Sequence, residues 1–127
     1  MVEAPVVKRF KMGWFGDGGF GESLIEAVLT GRKTATICPV YDPEDAELNV
    51  GDVLEMTDKH NKARGTLIVT GTEIRPYGRC DESLARCIGT TLQEFWESIK
   101  FANGRQIRPE EEMRVVYFKI VGPKIKL

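Results

Sequence analysis

The stretch Leu29-Thr30-Gly31-Arg32-Lys33-Thr34-Ala35-Thr36 constrains this chain more than any other. It follows an apolar run with helical periodicity and leads into a β-branched run, so a helix must end and a strand begin within it. Leu24, Ile25, Val28 and Leu29 recur at three- and four-residue spacing, which gives a helix over 20–30 one apolar face. Gly31 suits the position just past that helix because it adopts positive φ without strain. Residues 34–40, rich in Thr, Ile and Val, read as a strand. The junction therefore sets two cations, Arg32 and Lys33, and two hydroxyls, Thr34 and Thr36, between rigid supports.

Further along, Val50-Gly51-Asp52-Val53 reads as a turn into a strand over 53–57. A polar turn, 58–62, joins it to a second strand over 65–74, which predicts an antiparallel hairpin. Strict alternation in that second strand puts Thr66, Ile68, Thr70 and Thr72 on one face, and Leu67 and Val69 on the other. Pro76-Tyr77-Gly78 breaks the strand, and Asp81 is placed to N-cap a short helix ending near Gly89. Thr91-Leu92-Gln93-Glu94 has capping-box form, and Leu92, Phe95, Trp96 and Ile99 behind it share one helical face, the two aromatics as core. Residues 103–113 form a charged loop, read as a solvated surface. In the closing strand, 114–121, Val116, Phe118 and Ile120 alternate with Val115 and Tyr117. The order is strand, helix, strand, hairpin, two helices, strand. Such irregular alternation argues against a doubly wound parallel sheet. The expected class is α+β, a mostly antiparallel curled sheet or small β-barrel with flanking helices.

A length of 127 residues fits a single domain over 1–127. The net charge of −1 excludes a broadly basic nucleic-acid binder and leaves only a local basic patch open. Three cysteines, Cys38, Cys80 and Cys87, and one histidine, His60, show no metal-ligand spacing, so no metal or cofactor is expected. Reduced, mostly buried thiols suit a cytoplasmic protein. The first residues lack the pattern of a secretory signal, and no apolar run approaches the roughly 18 residues that span a bilayer. No repeat or low-complexity segment appears, and oligomeric state is not legible.

Several of these segments together resemble the ASCH domain, a member of the PUA-like group. Gly31-Arg32-Lys33-Thr34-Ala35-Thr36 is similar to its Gly-x-Lys-x-x-Thr signature, and Trp14-Phe15-Gly16-Asp17 to a Phe-Gly-Asp segment preceding the signature helix. Val50-Gly51-Asp52-Val53, Thr91-Leu92-Gln93-Glu94-Phe95-Trp96 and the final strand fall in the matching order, so the resemblance runs from about Arg9 to Val121. It implies a cleft beside the signature that binds a nucleoside, nucleotide or single-stranded RNA. It also implies an amidohydrolase activity like that of small bacterial members which deacetylate acetylcytidine. Lys33 and Thr36 are the residues carried over as catalytic, with Asp17, Gly31, Arg32, Thr34 and Tyr41 around the ligand. The partnering glutamate of those enzymes falls within Arg86-Cys87-Ile88-Gly89, which holds no carboxylate.

Amide hydrolysis needs a nucleophile, a base and a group to stabilise the oxyanion. Thr36 offers the hydroxyl and Lys33 the base, on the condition that the lysine is perturbed. In a regular strand, residues three apart lie on opposite faces, so Lys33 and Thr36 converge only if the chain turns between them. Asp17, Glu73 and Asp81 are candidate replacement carboxylates, and Tyr41, Arg75 and Tyr77 candidate stacking groups. The competing readings are a solvated Lys33 beside a helix C-terminus, an ordinary strand Thr36, a turn-forming Asp17, and a buried inert Cys87 in place of a nucleophile. A non-catalytic RNA-binding module is the alternative function.

Overall fold

The computed structural model describes residues 7–40, 48–103 and 107–122. The opening strand, β1 (Val7–Lys11), leads through a glycine-rich loop into α1 (Phe20–Leu29) and on to β2 (Ala35–Pro39). A hairpin of β3 (Val53–Thr57) and β4 (Ala63–Pro76) follows. A 3-10 turn (Tyr77–Arg79), two helices, α2 (Glu82–Ile88) and α3 (Leu92–Asn103), and β5 (Glu112–Gly122) complete the chain.

Local chemistry sets the boundaries. α1 buries Ile25, Ala27 and Val28, and it ends where the Thr30 and Gly31 amides close on Glu26 and Val28, with Gly31 at φ 81°. Asp81 caps α2 by accepting the Leu84 amide at 2.9 Å, and Gly89 stops it at φ 93°. The capping box of α3 is formed in both directions. Thr91 Oγ1 accepts the Glu94 amide and Glu94 Oε1 accepts the Thr91 amide, each at 3.2 Å.

The sheet runs β1-β3-β4-β5-β2. β1 pairs with β3 in parallel, and the other three pairings are antiparallel. The mostly antiparallel expectation therefore holds. The closed barrel does not: β1 and β2 are the two edges of an open sheet. The segment joining those edges contains α1, whose Ile25 and Val28 pack on one sheet face with Phe10, Leu54, Met56, Leu67, Val69, Val116 and Phe118. The opposite face carries Ala35, Met113 and Val115, packed against Leu84 of α2 and Phe95 and Ile99 of α3. β5 is thus buried on both sides, with Val116 and Phe118 toward α1 and Val115 and Tyr117 toward α2 and α3, in the alternation its sequence predicts.

β4 departs from strict alternation. Val69 faces Phe118 and Gly71 faces Tyr117, so Thr70 is an extra residue in the ladder. The bulge reverses side-chain phase. Thr72, opposite Val116, joins the face of Leu67 and Val69 and leaves the face of Thr66 and Ile68, contrary to the regular pattern. It also carries Glu73 and Arg75 onto the face of Tyr117, opposite Val115 and Met113. Among the described residues no helix is long and apolar enough to cross a membrane.

Candidate functional site

A cleft of about 560 Å³ lies along the outer edge of β2. α1 contributes Phe20, Leu24 and Ala27 to one wall, and Ile88, Gly89 and Thr90 at the end of α2 close another. Glu94 and Glu97 of α3 face in from a third side, and Arg32, Lys33, Thr36 and Ile37 form the junction and floor. Lys33 and Thr36 therefore line one cleft. The strand begins only at Ala35, so Lys33 lies outside the ladder and strict alternation does not apply to it. Its side chain turns along the strand and donates Nζ–H to the Ala35 carbonyl at 2.7 Å, with the residue only 4 % exposed.

Several short contacts assemble this corner. The Lys33 amide donates to Ala27 O at 3.0 Å, the Thr34 amide to Cys87 O at 2.6 Å, and the Phe118 amide to Thr34 O at 2.9 Å. Thr34 thus ties α2 to β5, while Lys33 makes the bond to α1, and Thr34 is not among the cleft-lining residues. Gly89 is required by proximity as well as by its positive φ. A Cβ there would lie 3.3 Å from both Arg32 O and Lys33 Cβ. Gly31 provides the turn that releases the junction from α1. Arg32 lines the cleft and donates Nε–H to Thr30 Oγ1 at 3.3 Å. Tyr41 lies outside the described residues.

Three candidate carboxylates are placed elsewhere. Asp17 is 5 % exposed and organises the loop before α1, accepting the amides of Trp14, Gly19 and Gly21 at 3.2, 3.0 and 2.9 Å. The Gly21 amide is the main cause holding its carboxyl below the usual aspartate range, against a burial effect of opposite sign. Glu73 sits with Tyr117 and Arg75, and Asp81 caps α2. None of the three lines the cleft. Arg75 is paired with Glu73 at 2.9 Å, and Tyr77 packs on Phe95 and Trp96 beside a separate concavity. Cys87 is half-buried and not among the lining residues, in keeping with the structural reading of its thiol.

Sequence reasoning missed Glu94 and Glu97. Their signal was available, since residues three apart on a helix share a face. In the sequence Glu94 reads only as part of the capping box, and Glu97 belongs to no motif. The Glu94 carboxylate accepts Thr90 Oγ1–H at 2.8 Å, the foremost cause that keeps it below its ordinary range and ionised at neutral pH. The cleft thus combines a buried ammonium, a hydroxyl and two carboxylates.

No protein-family model and no curated protein matches the sequence. Solved structures do. EF3133 of Enterococcus faecalis, assigned to the family model DUF984, is 25% identical and superposes with a TM-score of 0.70 over 97% of this chain and 80% of its own. The ASCH domain from Lactobacillus crispatus, at 18% identity, gives 0.73 over 90% and 80%. A ZmASCH mutant from Zymomonas mobilis, at 10% identity, gives 0.56 over 95% and 74%. The match to these structures across nearly the whole chain makes this protein an ASCH-type, PUA-like domain in fold.

Proposed function

We propose that the Lys33 cleft binds a nucleoside, alone or within single-stranded RNA, and hydrolyses an amide on its base. Acetylcytidine is the substrate implied by the ASCH resemblance. The observation that carries the reading is that Lys33, Thr36, Glu94 and Glu97 line one cleft. In this mechanism Thr36 Oγ adds to the acetyl carbonyl while its proton passes to Glu97, the carboxylate outside the capping box. The oxyanion that forms faces the Lys33 ammonium, whose hydrogen bond to Ala35 O fixes its position. Collapse breaks the C–N bond, the departing amine takes the proton from Glu97, and water then releases acetate from Thr36. Glu94, fixed and anionic, balances the cleft's cations. Cys38, Cys80 and Cys87 form no disulfide and two of them are buried, which suits a reducing, cytoplasmic setting.

A non-catalytic RNA-binding module is the second reading. It is favoured by the engagement of Lys33 with Ala35 O and by the lack of a carboxylate within 86–89. Turnover of acetylcytidine separates the two. The wild type is expected to release acetate, and Lys33→Ala and Thr36→Val to lower kcat by about 10²–10³-fold, the effect of deleting one transition-state contact. Saturable nucleoside binding without turnover would support the module. Neither turnover nor binding at millimolar ligand would overturn both.

A further inference from the structure

β2 is an edge strand, and its outer edge runs along the cleft floor. The direction of its backbone groups follows from two hydrogen bonds. Thr34 O accepts from Phe118 and the Val40 amide donates to Glu112 O, so even-numbered residues turn their backbone toward β5. Alternation then turns the backbone groups of Ala35, Ile37 and Pro39 outward, away from β5, and of the three only Ile37 lines the cleft. The Ala35 carbonyl confirms this phase independently, because it meets the Lys33 ammonium, a group outside the sheet, at 2.7 Å.

Two of those three residues cannot offer a complete donor–acceptor pair. Lys33 takes the Ala35 carbonyl, and Pro39 has no N–H. Among the described residues no strand pairs with this edge, so Ile37 presents both its N–H and its C=O to the cleft. One residue's pair is too short a ladder to add a peptide strand, which draws on successive alternate residues. It matches a planar nucleobase edge that sets a ring acceptor beside an exocyclic N–H.

We infer that the Ile37 backbone is the specificity-determining group of the cleft: its N–H donates to a ring nitrogen of the base, and its C=O accepts the adjacent exocyclic N–H. This inference rests on the nucleoside reading of the same cleft. It assigns recognition to main chain, where side-chain chemistry gives no sign of it. Cytosine, with a ring nitrogen beside an amino group, satisfies the pair, and acylation of that amino group leaves one N–H in place. A base edge dialkylated at the amino nitrogen loses the donor and fits poorly.

The test compares Ile37→Ala with Ile37→Pro. Both remove the side chain from the α2–α3 face, but only proline removes the outward N–H. An edge strand tolerates proline at this phase, as Pro39 already demonstrates. The probe is cytidine, which holds no amide to cleave, followed by calorimetric titration. N4,N4-dimethylcytidine is the second ligand, and thermal melts verify that both variants fold. Ile37→Ala is expected to bind cytidine within about threefold of wild type, and Ile37→Pro at least tenfold more weakly, since an unpaired polar group is strongly discriminated against. Wild type is expected to prefer cytidine to the dimethyl analogue by a similar factor. Equal cytidine affinity of folded Ile37→Ala and Ile37→Pro, with wild type binding normally, would overturn the backbone assignment alone. If Ile37→Pro does not fold, the dimethyl analogue decides: equal wild-type affinity for both ligands overturns the assignment. Absence of cytidine binding by wild type would overturn the nucleoside reading, and this inference with it.

Discussion

At the scale of single residues, the tightest constraint is the contact between Gly13 and Gly21 around Asp17. A Cβ on Gly21 would collide with Gly13 Cα and lie 2.9 Å from Asp17 Oδ2, so Gly21→Ala forces the loop apart. Overpacking of this kind destabilises by about 1–3 kcal/mol, and urea unfolding of the variant is expected to show it. Tyr117 is a second sensitive residue. Its hydroxyl donates to Glu73 Oε2 at 2.5 Å, and burial first, then that carboxylate, push its pKa up to about 12. In Glu73→Gln the tyrosine should titrate lower, yet above the ordinary value of about 10 because burial persists. An ultraviolet titration of tyrosinate absorbance checks this, and an unmoved titration would remove Glu73 from the account. The motif-bearing residues Lys33 and Thr36 were visible in the sequence. Their meeting was not, because it depends on the strand beginning two residues after Lys33.

Elements inherit these local terms. α3 starts from a reciprocal capping box whose Glu94 also lines the cleft, so one carboxylate both initiates the helix and borders the candidate site. Thr91→Ala removes the hydroxyl that accepts the Glu94 amide and is expected to lower stability by about 0.5–2 kcal/mol, read as a drop in melting midpoint. It should also weaken nucleoside binding by loosening the cleft wall. Turn chemistry, capping and periodicity predicted α1, α2, α3 and the β3–β4 hairpin well. The Thr70 bulge escaped them. Nothing in Thr66 to Thr72 marks one residue as extra, since the misfit arises only when β4 is laid against β5. Yet that misfit decides which face Glu73 takes, and it sets the carboxylate beside Tyr117 and Arg75.

For the molecule as a whole, buried or bonded carboxylates set the acid limit. Asp17, Asp52 and Asp58 are all held below the ordinary aspartate value, foremost by the Gly21 amide, the Lys8 ammonium and the Lys62 amide respectively. Groups with lowered folded-state pKa bind fewer protons folded than unfolded, so they stabilise fully above the unfolded value of about 3.9 and lose that effect as pH falls from there through the lowered folded value. The urea midpoint is therefore expected to hold between pH 7 and 5, then fall steeply below pH 4. Asp58→Asn should start less stable at pH 7 and show a shallower fall. A midpoint unchanged from pH 7 to pH 3 would contradict this assignment.

The sequence by itself determined the α+β class, most element boundaries, the two buried faces of β5 and the Lys33–Thr36 signature. These rest on local physics, in which periodicity, caps and turn glycines act within a few residues along the chain. Tertiary structure alone decided that the sheet stays open, that β4 bulges, and that Glu94 and Glu97 line the same cleft as Lys33. It alone also turned the Ile37 backbone outward, because an edge is defined by the neighbour a strand lacks. Each of these depends on which distant strands and helices meet, and pairing between segments dozens of residues apart leaves no periodic trace in either one.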